Sequence, residues 1–233
     1  CLKMVSSLLS SADLTSSIPE NTRRLAEKVN IRREYVDIES HQVFYLETLP
    51  PSGHYTKGII LILHGQSFTS STWIEHDNLS ILAASGYRCI APDLPGSGKT
   101  IGPSISIEDR PNFILSLRDF LHLKEMVIIS ASMSAPYVFP LLASPWIQCV
   151  IGIAPSHTHS LGDSISARTP VLVLYGEKDT SLGPTSAVNL SHLPNSRCIR
   201  LPSAGHAAYL GNPTLFQSIA INFIELIRSY SPN

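Results

Sequence analysis

The chain has 233 residues and a mass of 25.4 kDa, which is enough for one sizeable hydrophobic core. Hydrophobic residues make up 43% and charged residues 15%, a mixture that excludes a disordered chain. The 17 basic and 18 acidic side chains give a formal net charge of -1, which argues against nucleic-acid binding as the main activity. No run of about 18 apolar residues is present, so the sequence predicts no membrane-spanning helix.

Residues 1–28 precede the first regular pattern. Their leucines are interrupted by Ser10, Ser11 and Asp13, whereas a secretory signal has an uninterrupted apolar centre. We therefore predict a partly ordered N-terminal arm over residues 1–28 and a single domain over residues 29–233. Three of the four cysteines lie in apolar runs without metal-binding spacing, which indicates buried free thiols and a cytoplasmic or nuclear location: Cys89, Cys149 and Cys198.

From residue 29 onward, strand patterns alternate with helical patterns. Residues 29–38 and 42–49 predict an antiparallel hairpin, and a last helix is predicted to begin at Pro213 after an Asn212 cap. Short, fully apolar runs are typical of parallel strands covered on both faces, and they occur at 58–63, 87–91, 126–129, 149–153 and 170–174, with a weaker strand at 197–201. Two further segments, 72–85 and 113–121, have helical patterns. The alternation predicts a doubly wound, mostly parallel α/β sheet of about eight strands.

The segment after the strand at 126–129 is typical of a nucleophile elbow. Residues 130–135 read Ser-Ala-Ser-Met-Ser-Ala, so small residues flank a central Ser132 at the point where a strand turns into a helix. Such a turn strains the central residue and points its hydroxyl out of the sheet. Glycine usually occupies the flanking positions, where this chain has Ser130 and Ser134. The alternative interpretation is a serine-rich turn that caps a helix.

A serine hydroxyl needs a base to become a nucleophile. In doubly wound hydrolases the partners follow in the order Ser, Asp or Glu, His, and here Asp179 and His206 each follow a later strand in a glycine-containing loop. We predict that Ser132, Asp179 and His206 form a catalytic triad. Asp93 and Asp163 are the competing acids, but their order along the chain fits less well.

An acyl-transfer site also needs donors for the oxyanion that develops in the transition state. The residue after the nucleophile supplies one backbone N–H, here that of Met133. The loop after His64 and Gly65 supplies the second, which we assign to Gln66. His64 itself is expected to be structural.

Residues 96–100, Gly-Ser-Gly-Lys-Thr, look like the end of a phosphate-binding loop. The full motif needs a glycine where this chain has Asp93, and a carboxylate there opposes phosphate binding. A turn set by proline and glycine after a strand explains the same residues. We therefore expect no nucleotide site.

At these positions the chain resembles the α/β-hydrolase superfamily, and more closely its small branch called α/β-hydrolase-domain protein 14, whose members share a Ser-x-Ser-x-Ser elbow. The matching stretches are 64–73, 86–88, 93–98, 130–135, 175–179 and 205–210. The resemblance implies an α/β-hydrolase fold and a serine hydrolase acting on small acyl esters. It also implies a candidate acyltransferase that removes acetyl groups from protein lysines with coenzyme A as acceptor, and it implies no required cofactor or metal.

Only residues 156–169 separate two strands at the position where many of these enzymes insert a lid. This is too short for a lid domain, so we predict an open pocket suited to short acyl groups or to acyl groups carried on a protein. His157 and His159 either line its rim or are solvated loop residues.

We therefore predict a monomeric esterase or acyltransferase that takes a small-molecule or protein-borne acyl substrate. The alternative is a non-catalytic protein-interaction module on the same fold, because a serine-flanked elbow need not be strained.

Overall fold

The computed structural model describes residues 9–159, 161 and 166–230. Eight strands form one sheet in the order β1-β2-β4-β3-β5-β6-β7-β8. Their bounds are β1 Ile31–Ile38, β2 His41–Thr48, β3 Gly58–Leu63, β4 Tyr87–Pro92, β5 Met126–Ala131, β6 Ile147–Ile153, β7 Val171–Gly176 and β8 Ser196–Leu201. Strand β2 pairs antiparallel with β1 and β4. The remaining pairs all join parallel strands, so β3 to β8 run in one direction. The predicted fold class is confirmed, including the N-terminal hairpin.

Helices cover both faces of the sheet, which explains the continuous apolar runs. Along β3, Ile60 and Ile62 pack into one core while Leu61 and Leu63 pack into the core on the opposite face. The described helices are α1 Glu20–Ala26, α2 Asn78–Ala84, α3 Arg110–Phe120, α4 Ala135–Val138, α5 Leu182–Leu190, α6 Ala208–Gly211 and α7 Pro213–Tyr230. Helices α2 and α7 contribute to the first core, and α3 and α4 to the second.

The helix predicted over residues 72–85 is wrong in its first half. Residues Ser70–Trp73 and Glu75–Asp77 form two separate 3₁₀ turns, and α2 begins only at Asn78. His76 and Asp77 have positive φ angles of 54° and 60°, which interrupts the helix. The side chains of Asn78 and Gln217 donate to the carbonyls of Glu75 and His76, at 3.0 and 2.6 Å. A contact with α7, which local periodicity does not reveal, therefore helps to set this boundary.

The described part of the 1–28 arm packs against the domain. Leu9 and Leu14 are each 1% exposed and belong to the first core. Arg197 donates to the carbonyls of Leu9 and Ala12 at 2.7 and 2.6 Å, which ties the arm to β8. The boundary between residues 28 and 29 stays a prediction.

The predicted burial of Cys198 is wrong. Cys89 and Cys149 are buried free thiols, but Cys198 is exposed. It lies on β8, which has a sheet neighbour on one side only and alternates between exposed and partly buried residues. No helix in the described part of the chain is long and apolar enough to cross a membrane.

Of the segment between β6 and β7, the described residues form no lid domain. The described residues of this segment therefore leave the carboxyl ends of the parallel strands, where sites form in open α/β sheets, without a lid.

Candidate active site

Ser132 stands at a sharp turn directly after β5. Residues Ser132–Ser134 form a 3₁₀ turn that leads into α4, and Ser132 has a φ of 49°. A non-glycine residue in this left-handed region is strained, as expected for a nucleophile elbow. The alternative of a non-catalytic module is based on the supposition that a serine-flanked elbow is unstrained, and the φ angle of Ser132 contradicts that supposition.

The two flanking serines pair with each other beneath the turn. Ser130 and Ser134 are fully buried, and their hydroxyl oxygens lie 2.9 Å apart. The Ser134 hydroxyl donates to the Ala131 carbonyl at 2.9 Å, so the proton of the shared bond comes from Ser130. Both hydroxyls are thus satisfied without water, which explains how serines occupy positions where glycine is usual.

Ser156, at the carboxyl end of β6, holds the elbow from the other side. Its N–H and its hydroxyl both donate to the Ser132 carbonyl, each at 3.0 Å. These bonds fix the peptide plane whose N–H belongs to Met133. Sequence reasoning named the adjacent His157 but missed Ser156, although its place after a parallel strand was a usable signal.

His206 bridges the other two predicted triad members. Its Nε2 lies 3.0 Å from Ser132 Oγ and its Nδ1 lies 2.7 Å from Asp179 Oδ2. The imidazole is 46% exposed, whereas the Asp179 side chain is 3% exposed. The histidine side of the site is therefore accessible to a substrate, whereas the Asp179 carboxylate is buried beneath the imidazole. With Nδ1 protonated toward Asp179, Nε2 is the acceptor for the serine proton.

The Asp179 carboxylate is held by the start of α5. The N–H groups of Ser181 and Gly183 donate to it at 3.2 and 3.1 Å. Burial raises the pKa of Asp179, but the hydrogen bond from His206 and the two backbone donors outweigh burial, and the pKa is lowered from its usual 3.8. The group is an anion at neutral pH.

Gly176 lets the loop that carries His206 approach the strand that carries Asp179. A Cβ at this position would lie 2.0 Å from the carbonyl oxygen of Gly205 and 2.4 Å from that of Ala204. Both neighbours are backbone atoms, and the Ala204 carbonyl is further held in place because it accepts the Lys178 N–H at 2.8 Å. Only glycine fits where these two loops meet.

We expect Gly176→Ala to lower the free energy of unfolding by roughly 1–3 kcal/mol, because the added methyl group must displace backbone. Urea unfolding measures the loss. Gly58→Ala is the matched control, since a Cβ at Gly58 in β3 meets only the Tyr87 ring at 3.7 Å. Equal stability of the two variants would show that the Gly205 loop moves aside at no cost.

The predicted oxyanion donors border the same space as the predicted nucleophile. Gln66, which is exposed, and Met133 line a cavity of about 390 Å³ together with Ser132. Arg110 also lines this cavity and donates to the Met133 carbonyl at 3.3 Å. Sequence reasoning missed Arg110, which opens α3 and had no motif around it.

His64 and Asp93 serve the scaffold beside the cavity. His64 is fully buried, and its Nδ1–H donates to the Gly65 carbonyl at 2.8 Å while Nε2 accepts from the Leu94 N–H at 3.0 Å. Burial lowers the pKa of His64, so the ring is neutral. Asp93 accepts the N–H groups of Ser70 and Lys99, both at 2.7 Å.

The bonds of Asp93 also bear on the phosphate-loop alternative. The Lys99 amide, which a phosphate would need, already binds the Asp93 carboxylate. A Cβ at Gly98 would lie 2.1 Å from Asp93 Oδ2, so this glycine makes room for an anion of the protein itself. The turn interpretation accounts for the motif. The competing acid Asp163 lies outside the described residues.

His157 and His159 are both exposed, and both line a second cavity of 510 Å³. His157 also lines the cavity beside Ser132. Because the Ser156 hydroxyl donates to Ser132, the contact of 3.0 Å between His157 Nδ1 and Ser156 Oγ requires Nδ1–H as the donor. Within residues 9–159, 161 and 166–230, no group of three or more His, Cys, Asp or Glu side chains is arranged to hold a metal ion.

Comparison with known proteins places the chain among its relatives. The model of the alpha/beta hydrolase family matches residues 60–152. The human protein named "Putative protein-lysine deacylase ABHD14B" is 34% identical over 86% of this chain and 99% of its own length. Protein ABHD14A of Rattus norvegicus is 37% identical over 80% of this chain and 79% of its own length.

Solved structures agree with this placement. The crystal structure of a predicted CIB-like hydrolase from Thermoplasma acidophilum matches with a TM-score of 0.76 and 26% identity, covering 84% of this chain and 98% of that one. Carboxylesterase CesB from Bacillus subtilis shares the fold, with a TM-score of 0.71 and 17% identity over 88% of this chain and 99% of that one. The chain therefore belongs to the alpha/beta hydrolase family, in the group of the ABHD14 proteins, and is a hydrolase enzyme.

Proposed function

We propose that this protein is a serine hydrolase that cleaves small acyl esters or acyl groups through a covalent acyl-enzyme on Ser132. The single observation that carries the proposal is the position of His206, within hydrogen-bonding distance of both Ser132 Oγ and the buried Asp179 carboxylate. The catalytic role of the three residues is our inference from this arrangement and from the strained elbow.

In the first half-reaction, Ser132 Oγ attacks the acyl carbon while His206 Nε2 takes the hydroxyl proton. Asp179 holds the Nδ1–H tautomer and stabilises the imidazolium that forms. The backbone N–H groups of Gln66 and Met133 are the proposed donors to the oxyanion. When the tetrahedral intermediate collapses, the bond to the leaving group breaks and His206 returns the proton to it.

In the second half-reaction, an acceptor attacks the acyl-Ser132 ester and gives its proton to His206, and Ser132 leaves with that proton. Water as acceptor yields a free acid. The thiol of coenzyme A as acceptor yields a thioester, and we propose this transfer, with protein lysine as donor, as the second candidate function. It is favoured by the name of the relative ABHD14B and by two adjoining cavities of 390 and 510 Å³, both lined by Ile107, Ser156 and His157.

A fluorophosphonate probe tests the proposed nucleophile. We expect labelling of the wild-type protein at Ser132, located by peptide mass spectrometry, and no labelling of Ser132→Ala. Ser104→Ala is the matched control, because Ser104 is an exposed serine of the same cavity that has no histidine partner among the described residues. Persistent labelling of Ser132→Ala would overturn the proposal.

The acceptor is tested separately. Lysine-acetylated peptide is incubated with the protein, with and without coenzyme A, and the products are identified by mass spectrometry. Acetyl-coenzyme A formed only with intact Ser132 supports the transfer reaction. Release of free acetate at the same rate in both mixtures supports hydrolysis instead.

A further inference from the structure

Arg110 is a charged residue at the edge of the proposed acyl site. Of the described residues that line the 390 Å³ cavity beside Ser132, it alone carries a permanent charge. The other lining groups are apolar side chains, hydroxyls, an amide and an imidazole. Arg110 therefore places a positive charge in the wall of the cavity that holds the predicted nucleophile.

The guanidinium is held in place but poorly satisfied. Its carbon lies 5.2 Å from the centre of the Tyr137 ring, a cation–π arrangement that fixes its plane. One Nη1–H donates to the Met133 carbonyl at 3.3 Å, and the buried Nε finds no hydrogen-bond partner among the described residues. A guanidinium has five N–H donors, so most of its binding capacity is unused.

Within the described residues, no acidic side chain forms a salt bridge with Arg110. The pKa of the exposed Glu108, two residues earlier, is lowered by hydrogen bonds to its own backbone and to Ser106 and also by the charge of Arg110, so the two side chains attract each other without direct contact. Arg110 is also the first residue of α3, where the helix dipole disfavours a cation. Helix stability therefore does not explain an arginine at this position, whereas an anion bound beside it would.

We infer that Arg110 is a specificity-determining residue that binds a carboxylate at the far end of the acyl group. The preferred substrates are then esters or amides of short dicarboxylic acids, such as succinyl and glutaryl groups. A single planar guanidinium matches a carboxylate bidentately. The hydroxyls of Ser97 and Ser104 line the same cavity and are further donors for it. The inference rests on the proposed function, because the acyl carbon must lie at Ser132.

The test compares monoethyl glutarate with ethyl glutaramate, a neutral carboxamide of the same size. Ethanol release gives kcat/KM for each ester. We expect the wild-type protein to prefer the anionic ester by about tenfold or more, the range of a charge-assisted hydrogen bond. Arg110→Gln is expected to reduce the ratio of the two values to about one, and Arg110→Lys is expected to keep part of it.

Arg24→Gln is the matched control, because Arg24 lies on α1 with 74% of its side chain exposed and should leave the ratio unchanged. A wild-type ratio near one, or an Arg110→Gln ratio equal to that of the wild type, overturns the inference even when Ser132 is labelled by the probe. Absence of both labelling and ester hydrolysis instead overturns the proposed function, and this inference with it.

Discussion

We expect Ser132→Ala and His206→Ala each to lower kcat for p-nitrophenyl acetate by at least about 10⁴-fold. The alanine at position 132 has no nucleophile, and without the imidazole nothing within reach accepts the serine proton. Because the two residues act in one proton transfer, the double variant should be no slower than the slower single variant. Initial rates at saturating substrate measure kcat for all three proteins.

Folding is checked in the same samples by thermal unfolding. Ser132→Ala removes one oxygen from a partly exposed side chain, so its melting temperature should stay close to that of the wild type. His192→Ala is the control for His206→Ala, since His192 is exposed and lies beyond the end of α5. Two results would contradict a shared triad: a wild-type kcat in a folded Ser132→Ala protein, or a loss of kcat in the double variant equal to the product of the two single losses.

The second large effect is expected for Asp179→Asn, which should lower kcat by roughly 10³- to 10⁴-fold. The carboxylate accepts from His206 Nδ1 and from the N–H groups of Ser181 and Gly183. An asparagine has one acceptor oxygen, and its NH₂ group turned toward His206 favours the tautomer with the proton on Nε2. That tautomer cannot take the serine proton. Asp119→Asn, an exposed carboxylate on α3, is the control.

The same variant has a pH signature in stability. The pKa of Asp179 is lower in the folded protein than its usual 3.8, so the folded state binds fewer protons at this group. Its contribution to stability is therefore complete above about pH 5 and is lost as the pH falls through the folded pKa. The melting-temperature difference between wild type and Asp179→Asn should narrow between about pH 5 and pH 2. A difference that widens on acidification would show that the charged carboxylate is not favoured by folding.

The serine-flanked elbow shows how this chain departs from the usual glycine pattern without losing the sharp turn. The paired hydroxyls of Ser130 and Ser134 replace close backbone packing with a buried hydrogen bond. The strain at Ser132 is then balanced by the two bonds from Ser156 to its carbonyl. These contacts join β5 to β6 at the proposed nucleophile.

Local sequence determined the order and type of the elements. Strands buried on both faces are apolar at nearly every position, so runs such as Gly58–Leu63 are recognisable in the sequence. The start of α7 is recognisable from a different local signal, the capping Asn212 followed by Pro213. The identities of Ser132, Asp179 and His206 also followed from their places after strands, because parallel strands end at one edge of the sheet.

The distances between the site residues are set by the tertiary structure alone. Ser132 and His206 are 74 residues apart, and their 3.0 Å contact depends on the sheet order and on the absence of a side chain at Gly176. The start of α2, the exposure of Cys198, and the roles of Ser156 and Arg110 likewise depend on long-range neighbours. Periodicity reports which faces of an element are apolar, but it carries no information about which distant backbone group a side chain will meet.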